Sequence, residues 1–314
     1  MSPYDSARTP APGPGPAPAS GPVSAYALGH APAELDRLLL QARLYGPITA
    51  RAFRQAGLGP GMRVLDVGCG AGDVTFLAAE TVGPGGSVTG VDTAPEALDL
   101  ARARLRDRIR GSGAGGAAET GGAAGTGGAA GTGGEGSVDF RRATLPDISL
   151  DTPVDALVGR LVLGHQDEPA IFLRRLAELV RPGGLIAFQE FDNHSLRSVP
   201  ATPLAGAVLR GIGTALRAGG KERGAGARLY SLFRQAGLAP AGVCATTPMG
   251  GAEDPLVLPL AVHTYSTVAG DREAVGDLTT LEERMRAELD AADAVLIMPT
   301  AVTVWAAAPA RPGG

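Results

Sequence analysis

Two cysteines, Cys69 and Cys244, in 314 residues are too few for a disulfide framework. No histidine–cysteine cluster offers zinc its ligands, so no metal is expected. A reduced cytoplasm fits this usage. There is no surplus of basic charge either. The net charge is −4, without the positive field that phosphates require, so a nucleic-acid partner is not expected. The one basic run, RARLRDRIR from Arg102 to Arg110, has arginines at every second residue, which fan around a helix as a solvated surface. No apolar stretch approaches bilayer length, and the first residues show no basic region followed by an apolar run. Neither a membrane nor a secretory signal is expected.

What is present is an ordinary apolar share, 44%, which can bury a sizeable core in one large domain or a domain with a cap. Residues 1–23 are dominated by proline, alanine and glycine and read as a tail with nothing to bury. A glycine-rich block at 111–136 contains the hexamer GGAAGT twice in tandem and reads as a flexible loop between a helix and a strand. Elsewhere strands and helices alternate. MRVLDV is a short apolar run that predicts a buried strand, and SVTGVD, SVDFRR, VDALVGRLVL and GGLIAFQEF read as the next four strands. DVTFLAAETV, PEALDLARARLRDRI and DEPAIFLRRLAELV predict the helices between them; Asp167 is the expected N-cap of the third, and Pro-Gly-Gly closes it. Such alternation builds a mostly parallel sheet with helices on both faces. Ligands then bind beyond the carboxyl ends of the strands. A helical segment at 24–60, spaced by Leu35, Leu38, Leu39 and Ala42, precedes the sheet domain at 61–314. Several helices and the strand GVCATTP occupy about 195–300, and AVTVWAAAP is a final strand.

The stretch VLDVGCGAGD, Val64 to Asp73, combines a buried strand with Gly68, Gly70 and Gly72. The spacing is GxGxG, whereas the dinucleotide fingerprint places its third glycine one residue later. Asp66, two residues before Gly68, would repel a pyrophosphate but suits the ammonium group of an amino acid. A nicotinamide-dependent oxidoreductase is therefore the weaker alternative to a protein that binds S-adenosylmethionine. Asp92 closes the second strand, where a carboxylate can take both hydroxyls of a ribose or cap the helix that begins near Pro95.

VLDVGCGAGD, VTGVD, VDALVGRLVL and LVRPGGLIAFQEFD, in this order, resemble class I S-adenosylmethionine-dependent methyltransferases across about residues 35–192. The resemblance implies a Rossmann-like, seven-stranded, mostly parallel sheet whose last strand is antiparallel, with an N-terminal helical lid and a C-terminal helical insertion. It implies that Asp66, Gly68, Cys69 and Gly70 surround the methionine end and that Asp92 and Thr93 meet the ribose. Thr144 and Leu145 approach the adenine, and Arg160 joins the same cofactor set. Where relatives carry Gly-Asp after the third strand, this chain has Ala143-Thr144-Leu145, so Thr144 or Asp147 would have to read the adenine. LYGPIT is similar to the lid of many relatives, which puts Tyr45 either on the cofactor or in the core.

Methyl transfer needs an aligned nucleophile and, for an acidic one, a base. His165, after the fourth strand, and Glu190 and Asp192, which share one face at the end of the fifth, are the candidates; Gln189 points to the other face. Each has an alternative as a capping or packing residue. The expected acceptor is a small organic molecule held by the apolar helices after residue 195. A protein that binds S-adenosylmethionine without transferring its methyl is the remaining alternative.

Overall fold

The computed structural model describes residues 32–111, 134–144, 148–218, 224–269 and 272–310. The 1–23 tail, most of the 111–136 block, Leu145 and Asp147 lie outside the described residues. In chain order the elements are α1 (Pro32–Ala56), β1 (Arg63–Val67), α2 (Asp73–Val82), β2 (Ser87–Asp92), α3 (Pro95–Gly111) and β3 (Ser137–Arg142). Next come β4 (Val154–Arg160), α4 (Pro169–Ala177), β5 (Val180–Asp192), β6 (Arg197–Val199), α5 (Pro203–Ala218) and α6 (Ala225–Gln235). The remainder is β7 (Pro240–Thr246), β8 (Met249–Gly250), α7 (Val257–Val268), α8 (Arg272–Val275), α9 (Leu281–Ala291), β9 (Val295–Ile297) and β10 (Thr300–Ala307).

The apolar runs become strands because both faces of the sheet are covered. In β1 every residue after Arg63 is buried. The seven-stranded order is β3-β2-β1-β4-β5-β10-β7. β1 pairs in parallel with β2 and β4, and β4 with β5, while β10 runs antiparallel between β5 and β7. The chain winds outward from β1 through β2 to β3, then returns to β4 on its other side. The loops after β1 and β4 therefore diverge, and a crevice opens between them.

Side-chain alternation divides the core. Leu65, Leu157, Ile186 and Phe188 face α4 and α6, whereas Val64, Val88, Ala156 and Val158 face α2 and α3. A third cluster joins Tyr45 of α1 to Val208, Leu260, Tyr265 and Leu289 of α5, α7 and α9, above the strand ends. Leu157 is fully buried in the central strand. Leu157→Ala is expected to cost about 2–5 kcal/mol through the cavity it leaves. Urea unfolding followed by the fluorescence of Trp305, the sole tryptophan, measures this; a loss below about 1 kcal/mol would contradict the placement.

Three expectations change. α4 starts at Pro169 with Glu168, not Asp167, at the N-cap. Pro182-Gly183-Gly184 does not close that helix, which ends at Ala177; it lies within β5. The β4–β5 register shifts between Val154 and Ala156, and Gly183 takes φ +72°, so the strand absorbs an irregularity that looks like a helix stop. The arginines of α3 are not simply solvated. Arg104 bonds the Ala71 carbonyl and Asp73, Arg108 bonds Glu80 and Glu135, and both lie over the Phe76 ring. A small sheet of order β6-β9-β8 also lies in the insertion, which the sequence pattern does not announce.

Candidate functional site

The turn after β1 forms a cradle. Gly68, Gly70 and Gly72 have φ of +66°, +52° and +86°, a region that costs other residues energy. At Gly68 a Cβ would sit 2.6 Å from Cγ2 of Val162, on the turn after β4. The Val162 side chain thus fills the space that a side chain at position 68 would need. Asp92 fastens the cradle from β2: its Oδ2 accepts the Gly70 amide at 2.9 Å and its Oδ1 the Ala94 amide at 2.9 Å. Each oxygen retains a lone pair, and the carboxylate borders the cavity with Thr93.

Beneath the cradle Asp66 is fully buried. Oδ2 accepts from Thr75 at 2.6 Å, but Oδ1 has no partner. Burial pushes the Asp66 carboxyl up to about 7, against the Thr75 hydrogen bond and the nearby Arg160. Arg160, at the end of β4, has a side chain only 6% exposed. It donates to Oγ1 of Thr49 at 3.2 Å and lies 3.5 Å from Oδ2 of Asp73. Burial lowers its pKa, and Asp73 and Asp66 counteract this. The Cys69 thiol, pushed up by burial, bonds the Gly70 carbonyl at 3.8 Å and behaves as part of the turn.

A cavity of about 1190 Å³ runs from this cradle to α1, α5 and α7. At its far end Tyr45 donates to the Pro299 carbonyl at 3.0 Å and packs on Phe191 with ring centroids 4.3 Å apart. Burial raises the Tyr45 phenol well above its usual range. Glu190 is buried, and its Oε1 accepts the amides of Val162 and Leu163, each at 2.8 Å. Burial pushes its carboxyl up to about 7, while these amides and that of Gly164 pull it down. Lining from Leu196, Ile212, Leu216, Leu260 and Val268 makes this end apolar.

Residues 37–239 match a methyltransferase domain family. The chain belongs to this family. S-adenosylmethionine is its cofactor. The methyltransferase domain is 32% identical over 139 residues to a ubiquinone biosynthesis O-methyltransferase of Methylocella silvestris, covering 44% of this chain and 43% of that protein. It is 42% identical over 69 residues to a probable cobalt-precorrin-6B C(15)-methyltransferase of Thermoplasma acidophilum, covering 20% of this chain and 34% of that protein. The matched stretches span 24% to 43% of the length of such relatives. In three dimensions the chain is similar to a Bacillus halodurans protein assigned as a methyltransferase, with a TM-score of 0.50 and 15% identity over 83% of this chain and 98% of that one. That likeness supports the fold.

The residues present fit the cofactor. Asp66, with one oxygen lacking a partner, lies under a turn that carries glycine at three positive-φ positions, and the buried Arg160 guanidinium is close enough to counter the rise in its pKa. Arg160, which borders the cavity, suits the carboxylate of an amino acid, and Asp92 suits a diol. Of the candidates from sequence, Tyr45, Gly68, Cys69, Gly70, Asp92, Thr93, Thr144, Arg160, His165 and Glu190 border the one cavity, while Leu145 lies outside the described residues. Asp66 lies below the cavity wall. Asp192 does not border the cavity. It caps the short turn Asn193–Ser195, accepting the His194 amide at 3.0 Å and facing the His194 ring at 2.7 Å. Asp73 and Thr49 were missed. Asp73 follows the third glycine, which was the available signal; Thr49 bonds the Tyr45 carbonyl within its own helix, but Arg160 and Gln189 reach it from more than 100 residues away in sequence. Among the described residues no metal-binding cluster occurs, and no helix is long and apolar enough to cross a membrane.

Proposed function

We propose that the protein transfers a methyl group from S-adenosylmethionine to a small, largely apolar organic acceptor. One observation carries this reading: a single cavity joins the glycine cradle to the apolar lining of the lid and insertion. Its volume, about 1190 Å³, exceeds the range usual for one drug-sized ligand, roughly 300–1,000 Å³, and leaves room for two molecules end to end. The name of the Methylocella silvestris relative, an O-methyltransferase of ubiquinone biosynthesis, agrees with a small organic acceptor.

The bound cofactor supplies a sulfonium methyl, an electrophile needing no further activation. The chain orients what meets it. Tyr45 and Phe191, packed ring on ring, line the cavity and can help to orient the acceptor. Holding the acceptor in line can contribute roughly 7–11 kcal/mol. Glu190 borders the acceptor half with its Oε1 fixed by two amides, so it is placed to receive a proton from a hydroxyl nucleophile. His165, exposed on the turn Leu163–His165, is the second candidate base.

Isothermal calorimetry with S-adenosylhomocysteine tests the reading. Wild type should bind, and Asp92→Ala should weaken binding about tenfold or more, because it removes a charged partner of the ribose and of the Gly70 amide. An absence of heat, or equal affinity in the variant, would sink the proposal. Binding with no label transferred from methyl-labelled cofactor to a broad acceptor library would leave a binder without transfer.

A further inference from the structure

We propose that Thr49 of α1 is a positioning residue that couples the amino-acid end of the cofactor to the lid helix through Arg160. The inference rests on the cofactor reading of the site.

Arg160 is a cation with unused capacity. A guanidinium carries five N–H donors. Nη1 bonds Thr49 and Nη2 pairs with Asp73 at 3.5 Å, but Asp73 is held more closely by Arg104 at 2.7 Å. Asp73 and Asp66 both act on its charge, but Thr49 is its hydrogen-bond partner among the described residues, so N–H donors remain for a ligand where Arg160 borders the cavity beside the cradle. A carboxylate is the ligand chemistry that fits it, since a guanidinium fork matches a carboxylate in two bonds. The only carboxylate on an adenosyl thioether is that of its amino acid.

Thr49 fixes where this guanidinium points. It is fully buried and does not border the cavity. Its Oγ1 accepts from Arg160 and lies 2.7 Å from Oε1 of Gln189 and 2.9 Å from the Tyr45 carbonyl. Gln189 in turn donates through Nε2 to Oγ1 of Thr303 at 2.8 Å. One hydroxyl therefore links β4 and β5 to α1, and Gln189 extends the link to β10. The same helix sends Arg37, Leu38, Gln41 and Tyr45 to the cavity. An anion gripped by Arg160 consequently restrains α1, while an adenosine fragment without the amino acid does not. The competing explanation is local: a buried helical threonine satisfies itself on the carbonyl four residues earlier, here Tyr45, and has no say in binding.

Two probes separate these explanations: S-adenosylhomocysteine, and 5′-methylthioadenosine, which lacks the amino acid. Thr49→Val should weaken S-adenosylhomocysteine about tenfold by calorimetry and leave 5′-methylthioadenosine within about twofold, and Thr49→Ser should restore the difference. In wild type, S-adenosylhomocysteine but not 5′-methylthioadenosine should slow amide hydrogen exchange in residues 32–56. If Thr49→Val misfolds, Arg160→Lys, which keeps the charge but not the fork, should show the same split. Equal weakening of both probes, or of neither, overturns the proposal. Failure of both probes to bind wild type would instead overturn the cofactor reading beneath it.

Discussion

Glu190→Gln lowers kcat by about 10²- to 10⁴-fold and abolishes the rise of rate with pH that wild type shows around 7. Burial raises the Glu190 carboxyl from its ordinary 4.5 to about 7, and three backbone amides oppose that rise without reversing it. No charged side chain contributes to the shift, although His165 stands on the same turn and Asp192 and His194 at the end of the strand. The carboxylate that accepts a proton therefore forms as pH increases through about 7, and activity follows it upward. Glutamine keeps the shape and an oxygen for the amides of Val162 and Leu163, so the fold and the affinity for S-adenosylhomocysteine should survive. The check is kcat against pH from 5.5 to 9 with a methyl-accepting substrate (range chosen to bracket a group near neutrality). If Glu190→Gln keeps both rate and limb while His165→Asn loses them, the base is the histidine. The sign for stability is the reverse. A carboxyl held protonated in the fold stabilises most below its unfolded value of 4.5, and that contribution is lost as pH rises through about 7.

Gly68→Ala is the second large effect, and it acts on the cradle. At φ +66° an alanine is strained by about 1–2 kcal/mol, before any contact is counted. Its Cβ would then lie 2.6 Å from Cγ2 and 3.4 Å from Cγ1 of Val162, so the turns after β1 and β4 must part. Affinity for S-adenosylhomocysteine should fall by about 10- to 100-fold, with a lowered thermal midpoint. Adding Val162→Ala removes the contact but not the backbone strain, so it should recover part of the affinity. Full recovery would assign the whole effect to packing, and no loss in the single variant would mean that the cradle is not where the cofactor sits.

The sheet was legible because parallel strands buried on both faces leave short runs rich in Val, Leu and Ile between turn residues, as in Ala156–Val158 and Leu185–Phe188. The cradle was legible for a related reason: Gly68, Gly70 and Gly72 occupy backbone conformations that other residues avoid, so their spacing records geometry directly. Pro182-Gly183-Gly184 misled because a helix stop and a strand irregularity use the same residues, and only pairing with β4 distinguishes them. β6, β8 and β9 have two or three residues each, too few for any period to show. Asp192 and Glu190 share a face in sequence, yet one turns into a capping interaction and the other into the cavity, because the strand ends between them and the turn at Asn193. Thr49 carries no local signal, since its hydroxyl acquires meaning only when Arg160 and Gln189 arrive from distant strands.

The position of β10 bears on the order in which this chain can be made. β10 is inserted between β5 and β7, paired along Thr300–Ala307 with the first and along Ala301–Ala306 with the second, although it is the last of the described strands in sequence. During synthesis from the N-terminal side, β5 is complete about a hundred residues before its neighbour emerges. Its edge, and Gln189 upon it, must wait without the hydroxyl of Thr303. Until about a hundred further residues have been added, the β5 edge lacks this partner, and an unpaired strand edge is where a folding chain is most prone to wrong pairing.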